Sequence, residues 1–319
     1  MNASIPVRRR ARSRRAEPLD RAVSWALHGL VVAGAAAAVA VDRRVRRTRF
    51  AGAKVAVPAL AAAYYGLIWA VESRRPARND WRADAAEART DGVFLASVMA
   101  TQVAAQTLVA PVQRRTTRSL GVHRLPAPVG VAVAVLAYDL VHSRLHHLGH
   151  RWGPAWRFHS VHHSPERLYW FNATRFHAVE MFVDMTLETL LVGVLGLSRD
   201  QHVAYDAVRG LYGQLQHCNI RMHSGALDRV FSTPDLHRWH HSTVYAEGDT
   251  NYGAITSVWD QVFRTFFRPD DRDGPDHVGV GRMPDFPQTF VELERAPFEW
   301  AAIRERNADT WFDDTERSA

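Results

Sequence analysis

Four stretches of this chain contain no Asp, Glu, Lys or Arg: residues 22–41, 55–71, 92–113 and 125–138, which are 20, 17, 22 and 14 residues long. The segments between them, 42–54, 72–91 and 114–124, are rich in arginine. About 20 apolar residues span a bilayer core as a helix, and only helices or closed barrels satisfy their backbone there. Apolar spans alternating with charged loops therefore predict an all-α, multi-spanning membrane protein. Residues 179–197 and 201–217 are also apolar but are shorter or interrupted by Asp184 and Glu188. They read as a helical hairpin that dips into or crosses the bilayer and returns the chain to the side it left, its acids facing the bundle interior.

Charge is unevenly distributed. The net charge is +7, yet residues 1–54 carry 13 basic and 3 acidic side chains, and residues 242–319 carry 8 basic and 16 acidic. The arginine run at 8–15 has no interleaved aromatics for base stacking, and an uncharged span follows it closely. It therefore reads as a membrane-flanking arm and not as a nucleic-acid arm, so no nucleic-acid partner is expected. An N-terminus inside and four crossings put the later polar region in the cytosol, of a bacterial inner membrane. The basic character of the supposedly outer loop 42–54 argues the other way. The expected organisation is a basic arm (1–21), transmembrane helices (22–125), a catalytic region (126–268) and a polar cap or tail (269–319), with a loosely packed helix around 289–307. A single cysteine, Cys218, excludes a disulfide framework and a sulfur-rich zinc site.

Fourteen of the 17 histidines lie between His142 and His241. His142 and His146 form an HxxxH, followed by His147. His159, His162 and His163 form an HxxHH, and His237, His240 and His241 form a second. Spacings of three and four put imidazoles on one face of a helix, so each motif can aim two or three at one point. Eight such ligands from three segments suit two metal ions better than one. No HExxH and no Glu-x-x-His occurs, which argues against a zincin and a ferritin-like carboxylate site. Imidazole alone does not choose among iron, copper and zinc. An imidazole shell beside a lipid phase suggests O2 chemistry on an apolar substrate. The residues leave open a non-catalytic metal-binding membrane protein and, more weakly, a zinc-dependent membrane hydrolase.

The runs Asp139-Leu-Val-His142-Ser-Arg-Leu-His146, Trp156-Arg-Phe-His159-Ser-Val-His162-His163-Ser-Pro165 and Thr233-Pro-Asp-Leu-His237-Arg-Trp-His240-His241 resemble the fatty acid hydroxylase/sterol desaturase superfamily of membrane-bound di-iron oxidases. So do Arg175-Phe-His177-Ala-Val-Glu180, Gln216-His217-Cys-Asn219, Asn251-Tyr-Gly253 and Trp259-Asp-Gln-Val-Phe263. The resemblance covers roughly residues 130–268. It implies that His142, His146, His159, His162, His163, His237, His240 and His241 hold two irons, with His217 a ninth ligand. His177, His147 and His223 are possible further or outer groups, His150 matches no firm ligand position, and Asp139, Asp235 and Glu180 are candidates to orient imidazoles. Ala178 replaces the family's usual proline, and Arg264 stands where the family shows glycine. The implied activity is O2-dependent hydroxylation or desaturation of an unactivated C–H of a sterol, isoprenoid or fatty-acyl lipid. The chain shows no dinucleotide fingerprint, haem-attachment motif or four-cysteine iron–sulfur ligand set, so an external ferredoxin or cytochrome-type electron donor is expected.

Overall fold

A computed structural model describes residues 17–48, 53–116 and 118–308. Most of the arginine-rich arm and the end of the acidic tail lie outside the described residues. The helices are α1 (Pro18–Thr48), α2 (Ala53–Arg74), α3 (Ala85–Thr116), α4 (Ala127–Arg151), α5 (Gly153–His163), α6 (Ala178–Leu195), α7 (Arg199–His217), α8 (Pro234–His240), α9 (Tyr245–Gly248), α10 (Val258–Phe263), α11 (Phe290–Arg295) and α12 (Trp300–Arg306). Among the described residues there is no β-strand, only isolated bridges.

Among the described residues three helices, Pro18–Arg47, Ala85–Gln113 and Ala127–Arg151, are long and apolar enough to cross a membrane. They make this an all-helical, multi-spanning membrane protein. The uncharged stretch at 125–138 is only the first half of α4. Helical hydrogen bonding continues through Asp139 and the histidines to Arg151, where the Gly153-Pro154 pair starts a new helix. Absence of charge marks apolarity, and not the end of a helix.

Helices α6 and α7 follow one another across a tight turn as a helical hairpin. Gly196 closes α6 at φ 65°, and a Cβ there would overlap Ser119 Oγ, so glycine is required. Ser198 and Gln201 then form a reciprocal capping box on α7. In the hairpin α6 packs along α3 and α7 along α1 and α4. The main core joins α1, α2, α4 and α7 through Leu27, Ile68, Tyr138 and Leu215.

A second core holds Phe94 of α3 and Val161 of α5 against Leu293, Trp300 and Ile303. The segment expected as one loose helix at 289–307 is thus two short helices, broken at Pro297, that share a core with α3 and α5, α11 lying against α3. Arg264 caps α10 in the left-handed region at φ 62°. Arg264→Gly should raise thermal stability by about 1 kcal/mol, because only glycine adopts that conformation without strain.

Candidate metal centre

Four segments deliver imidazoles to one place. His146 and His150 occupy the last two turns of α4, and α5 brings His159, His162 and His163. The end of α7 brings His217, and α8, started by Pro234, brings His237, His240 and the capping His241. They form two clusters: His146, His150, His159, His163 and His240, and His162, His217, His237 and His241. Within each, one atom per residue lies within 4.8 Å of the others.

Each HxxHH motif serves both clusters. His159 and His163 face the first and His162 the second, whereas His237 and His241 face the second and His240 the first. Residues four apart share a face of a helix, and the one between points about 100° away. The two motifs thus wall both clusters from opposite sides.

The ring nitrogens crowd without other partners. His150 Nε2 lies 3.1 Å from His163 Nε2, which is 3.2 Å from His159 Nε2. His237 Nε2 lies 2.9 Å from His217 Nε2 and 3.1 Å from His241 Nε2. His146 Nε2, His240 Nε2, His237 Nδ1 and His241 Nδ1 are buried with no hydrogen-bond partner. Unsatisfied buried nitrogens are costly; those of His146 and His240 belong to the first cluster and those of His237 and His241 to the second, and a cation in each cluster would relieve the crowding of imidazole nitrogens there.

On five rings the far nitrogen is fixed. Nδ1 of His146 donates to Tyr252 O (2.9 Å), of His159 to Glu180 Oε1 (2.7 Å) and of His162 to Arg175 O (3.3 Å). Nδ1 of His217 donates to Asn172 Oδ1 (3.0 Å) and that of His240 to Thr250 O (2.7 Å). Each partner only accepts, so Nδ1 carries the proton and the Nε2 lone pair is left for a metal. These partners are themselves anchored. Buried Arg175 pairs with Asp91, Asn172 Nδ2 donates to Arg167 O, and Asp260 accepts from Tyr252 N and Gly253 N.

Burial, reinforced by neighbouring imidazoles, holds His162, His163, His237 and His241 well below the ordinary histidine pKa. Burial likewise pushes His240 down to about 3, against the hydrogen bond to Thr250. Neutral imidazole is the ligand form. Below about pH 6.5 the unfolded chain binds protons that the folded metal-free protein refuses, so stability falls with pH. For His240 the decline continues until the pH approaches 3. Thermal unfolding of metal-free protein at about pH 7.5, 6 and 5 should show this decline. A flat profile would contradict it.

Several expected site residues lie elsewhere. His142 is outside both clusters, one turn before His146, with Nδ1 3.0 Å from Asp184 Oδ1. His177 caps α6, its Nδ1 accepting from Val179 N and its Nε2 facing the Glu294 carbonyl. His147 packs edge-on against Tyr252, and His223 joins neither cluster. Asp139 binds no imidazole, because its oxygens accept from Ile255 N and Thr256 N. Asp235 accepts from Ser224 N and pairs with Arg238. Glu180 does reach an imidazole, that of His159.

His150 is the residue that sequence reasoning set aside. The signal was present, since His142, His146 and His150 make two overlapping HxxxH patterns. His146 and His150 face His159 of α5 and His240 of α8, whereas His142 faces Asp184 of α6, and this places the second pair at the cluster.

A cavity of about 570 Å³ adjoins the clusters at His146, His159, His162 and His237. Leu95, Met99, Leu145 and Met185 of α3, α4 and α6 make its walls apolar. Its α7 wall includes Gly213, where an added Cβ would meet nothing within 4 Å.

Residues 131–265 match the fatty acid hydroxylase family. Ornithine lipid hydroxylase OlsE of Rhizobium tropici is 44% identical over 153 residues, covering 48% of this chain and 45% of that protein. The alkylglycerol monooxygenase of Caenorhabditis elegans is 27% identical over 157 residues, 49% of this chain and 30% of that protein. The human alkylglycerol monooxygenase is 26% identical over 133 residues, 42% of this chain and 29% of that protein. The chain thus matches less than half the length of each relative. No solved structure matches. The histidine segments and the loop that anchors them fall within residues 131–265, the stretch that matches the fatty acid hydroxylase family.

Proposed function

We propose that this protein is an O2-dependent lipid hydroxylase whose catalytic region spans residues 126–268, with two iron ions held by nine histidines. The first ion takes His146, His150, His159, His163 and His240, and the second His162, His217, His237 and His241. The observation that carries the reading is two clusters of imidazole alone, with orphaned buried nitrogens, sharing a wall with an apolar cavity. The names of the relatives favour hydroxylation over desaturation. When bound, the iron pair supplies reductive activation of O2: one oxygen atom enters a C–H bond, the other leaves as water, and a donor provides two electrons.

The chain's own residues prepare that chemistry. Glu180 and the carbonyls of Tyr252, Thr250 and Arg175 hold four ring protons away from the metals, and Asn172 holds a fifth. The apolar walls align a lipid chain and exclude water from its reacting carbon. The electron donor is a separate ferredoxin or cytochrome-type protein, and the histidine region faces the cytosol of a bacterial inner membrane.

Purified protein reconstituted with iron under anaerobic conditions should hold about two irons per chain, and fewer than about one would overturn the assignment. With reductant and lipid extract it should consume O2 and yield lipid carrying one added oxygen atom. Metal retention without O2 consumption would instead indicate a non-catalytic relative, and turnover without O2 or reductant a hydrolase.

Gly213→Phe should keep iron but lower turnover at least about tenfold, because the ring would occupy the cavity. Gly213→Ala should keep activity and gain up to about 1 kcal/mol of stability, the ordinary helix preference. Iron analysis and product yield on the same preparations check both.

A further inference from the structure

A carboxylate from outside the family-matched stretch stands behind the second cluster. Glu72 directly follows the uncharged stretch 55–71, in the last turn of α2. Its Oε2 accepts from Trp170 N at 3.0 Å and from Asn219 N at 2.8 Å, one oxygen taking both donors on its two lone pairs. Each donor sits two residues from a group that the second cluster needs. Trp170 precedes Asn172, whose Oδ1 accepts from His217 Nδ1 at 3.0 Å, and Asn219 follows His217 itself. One oxygen thus joins the segment that carries a ligand to the segment that carries its orienting partner.

The chain after α2 repeats the attachment. Asn219 O accepts from Ala77 N at 2.9 Å, Asn219 Oδ1 accepts from Arg78 N at 2.9 Å, and Asn219 Nδ2 donates to Arg78 O at 2.8 Å. On the other segment Asp91 of α3 pairs with Arg175, whose carbonyl accepts from His162 Nδ1. His162 and His217, both of the second cluster, therefore lean on residues 170–175, which α2 and α3 hold. The oriented ligands of the first cluster depend instead on Tyr252, Thr250 and Glu180.

We propose that Glu72 is a positioning residue for the second metal ion and not for the first. It fixes where Asn172 stands relative to His217, and thereby the direction of the His217 Nε2 lone pair. The inference rests on the two-iron reading above. It makes the N-terminal helices, which carry no histidine of either cluster, part of the metal centre.

The test titrates iron-loaded full-length protein in detergent with a chelator and reads iron per chain. In a His240→Ala background the iron that remains sits in the second cluster. Adding Glu72→Ala should release it at a chelator concentration at least about tenfold lower. In a His217→Ala background the remaining iron sits in the first cluster, and the same addition should shift its release by less than about twofold. Glu72→Gln keeps an acceptor oxygen at the same reach and should restore retention in the His240→Ala background. Glu72→Asp, whose acceptors are drawn back, replaces Glu72→Ala if that variant does not fold, and the same contrast is expected. Equal shifts in both backgrounds, or no shift in either, would overturn the proposal. So would a chain that folds with neither substitution, because Glu72 would then support the fold at large. A wild type that holds two irons without O2-dependent product would count against the hydroxylase reading and leave the positioning role standing. O2-dependent product together with equal shifts would do the reverse.

Discussion

His150→Ala should lose iron and activity as completely as His240→Ala, whereas His142→Ala should keep its iron. His150 Nε2 is 3.1 Å from His163 Nε2 inside the first cluster, and His142 lies one turn away with Nδ1 on Asp184. Replacing even a residue that orients a metal ligand weakens binding by about 10–100-fold, so losing a ligand should cost at least about 100-fold. His142→Ala disturbs the cavity wall and should change lipid handling instead. Iron per chain after anaerobic reconstitution and desalting reads this directly. Equal retention by both variants would return the first HxxxH to the metal, and loss in His142→Ala alone would reverse the assignment.

Asp139→Ala should cause a large loss of stability in a residue that touches no metal. Its carboxylate accepts from Ile255 N and Thr256 N, both fully or nearly buried. Truncation leaves two backbone donors unpartnered at about 1–3 kcal/mol each. The same loop supplies the Tyr252 carbonyl to His146, and the Thr250 carbonyl to His240 lies just before it. Loosening it should therefore also weaken iron retention. Asp139→Asn keeps one acceptor and should recover part of the loss. Thermal unfolding in detergent, with iron content measured on the same samples, separates the outcomes. An Asp139→Ala protein of unchanged stability would remove this residue from the scaffold.

Much of the architecture is legible in the linear chain because its signals are local. Three uncharged stretches lie within α1, α2 and α3, the fourth runs into α4, and the break at 198–200 falls where the turn after α6 enters the first turn of α7. The resemblance to a hydroxylase family came from short ordered motifs, and residues 131–265 match that family. The C-terminal helices were not legible as packed elements. Their burying partners, Phe94 and Val161, lie more than a hundred residues earlier, and an acidic composition conceals such a contact. Asp139 illustrates the same limit. Its spacing from His142 suggests an imidazole partner, yet the loop at 255–256 reaches it first.

The sequence by itself determined that the chain forms membrane helices and presents histidines in triplets capable of aiming at shared points. Spacings of three and four set which face of a helix a side chain occupies, and no folding is needed to know that. Tertiary structure alone decided which histidines meet. Each cluster draws on at least three segments, spread over residues 146–241, so its membership depends on how the helix ends converge. That convergence selected His150 over His142, divided each HxxHH between two clusters, and left His142 with Asp184 beside the cavity.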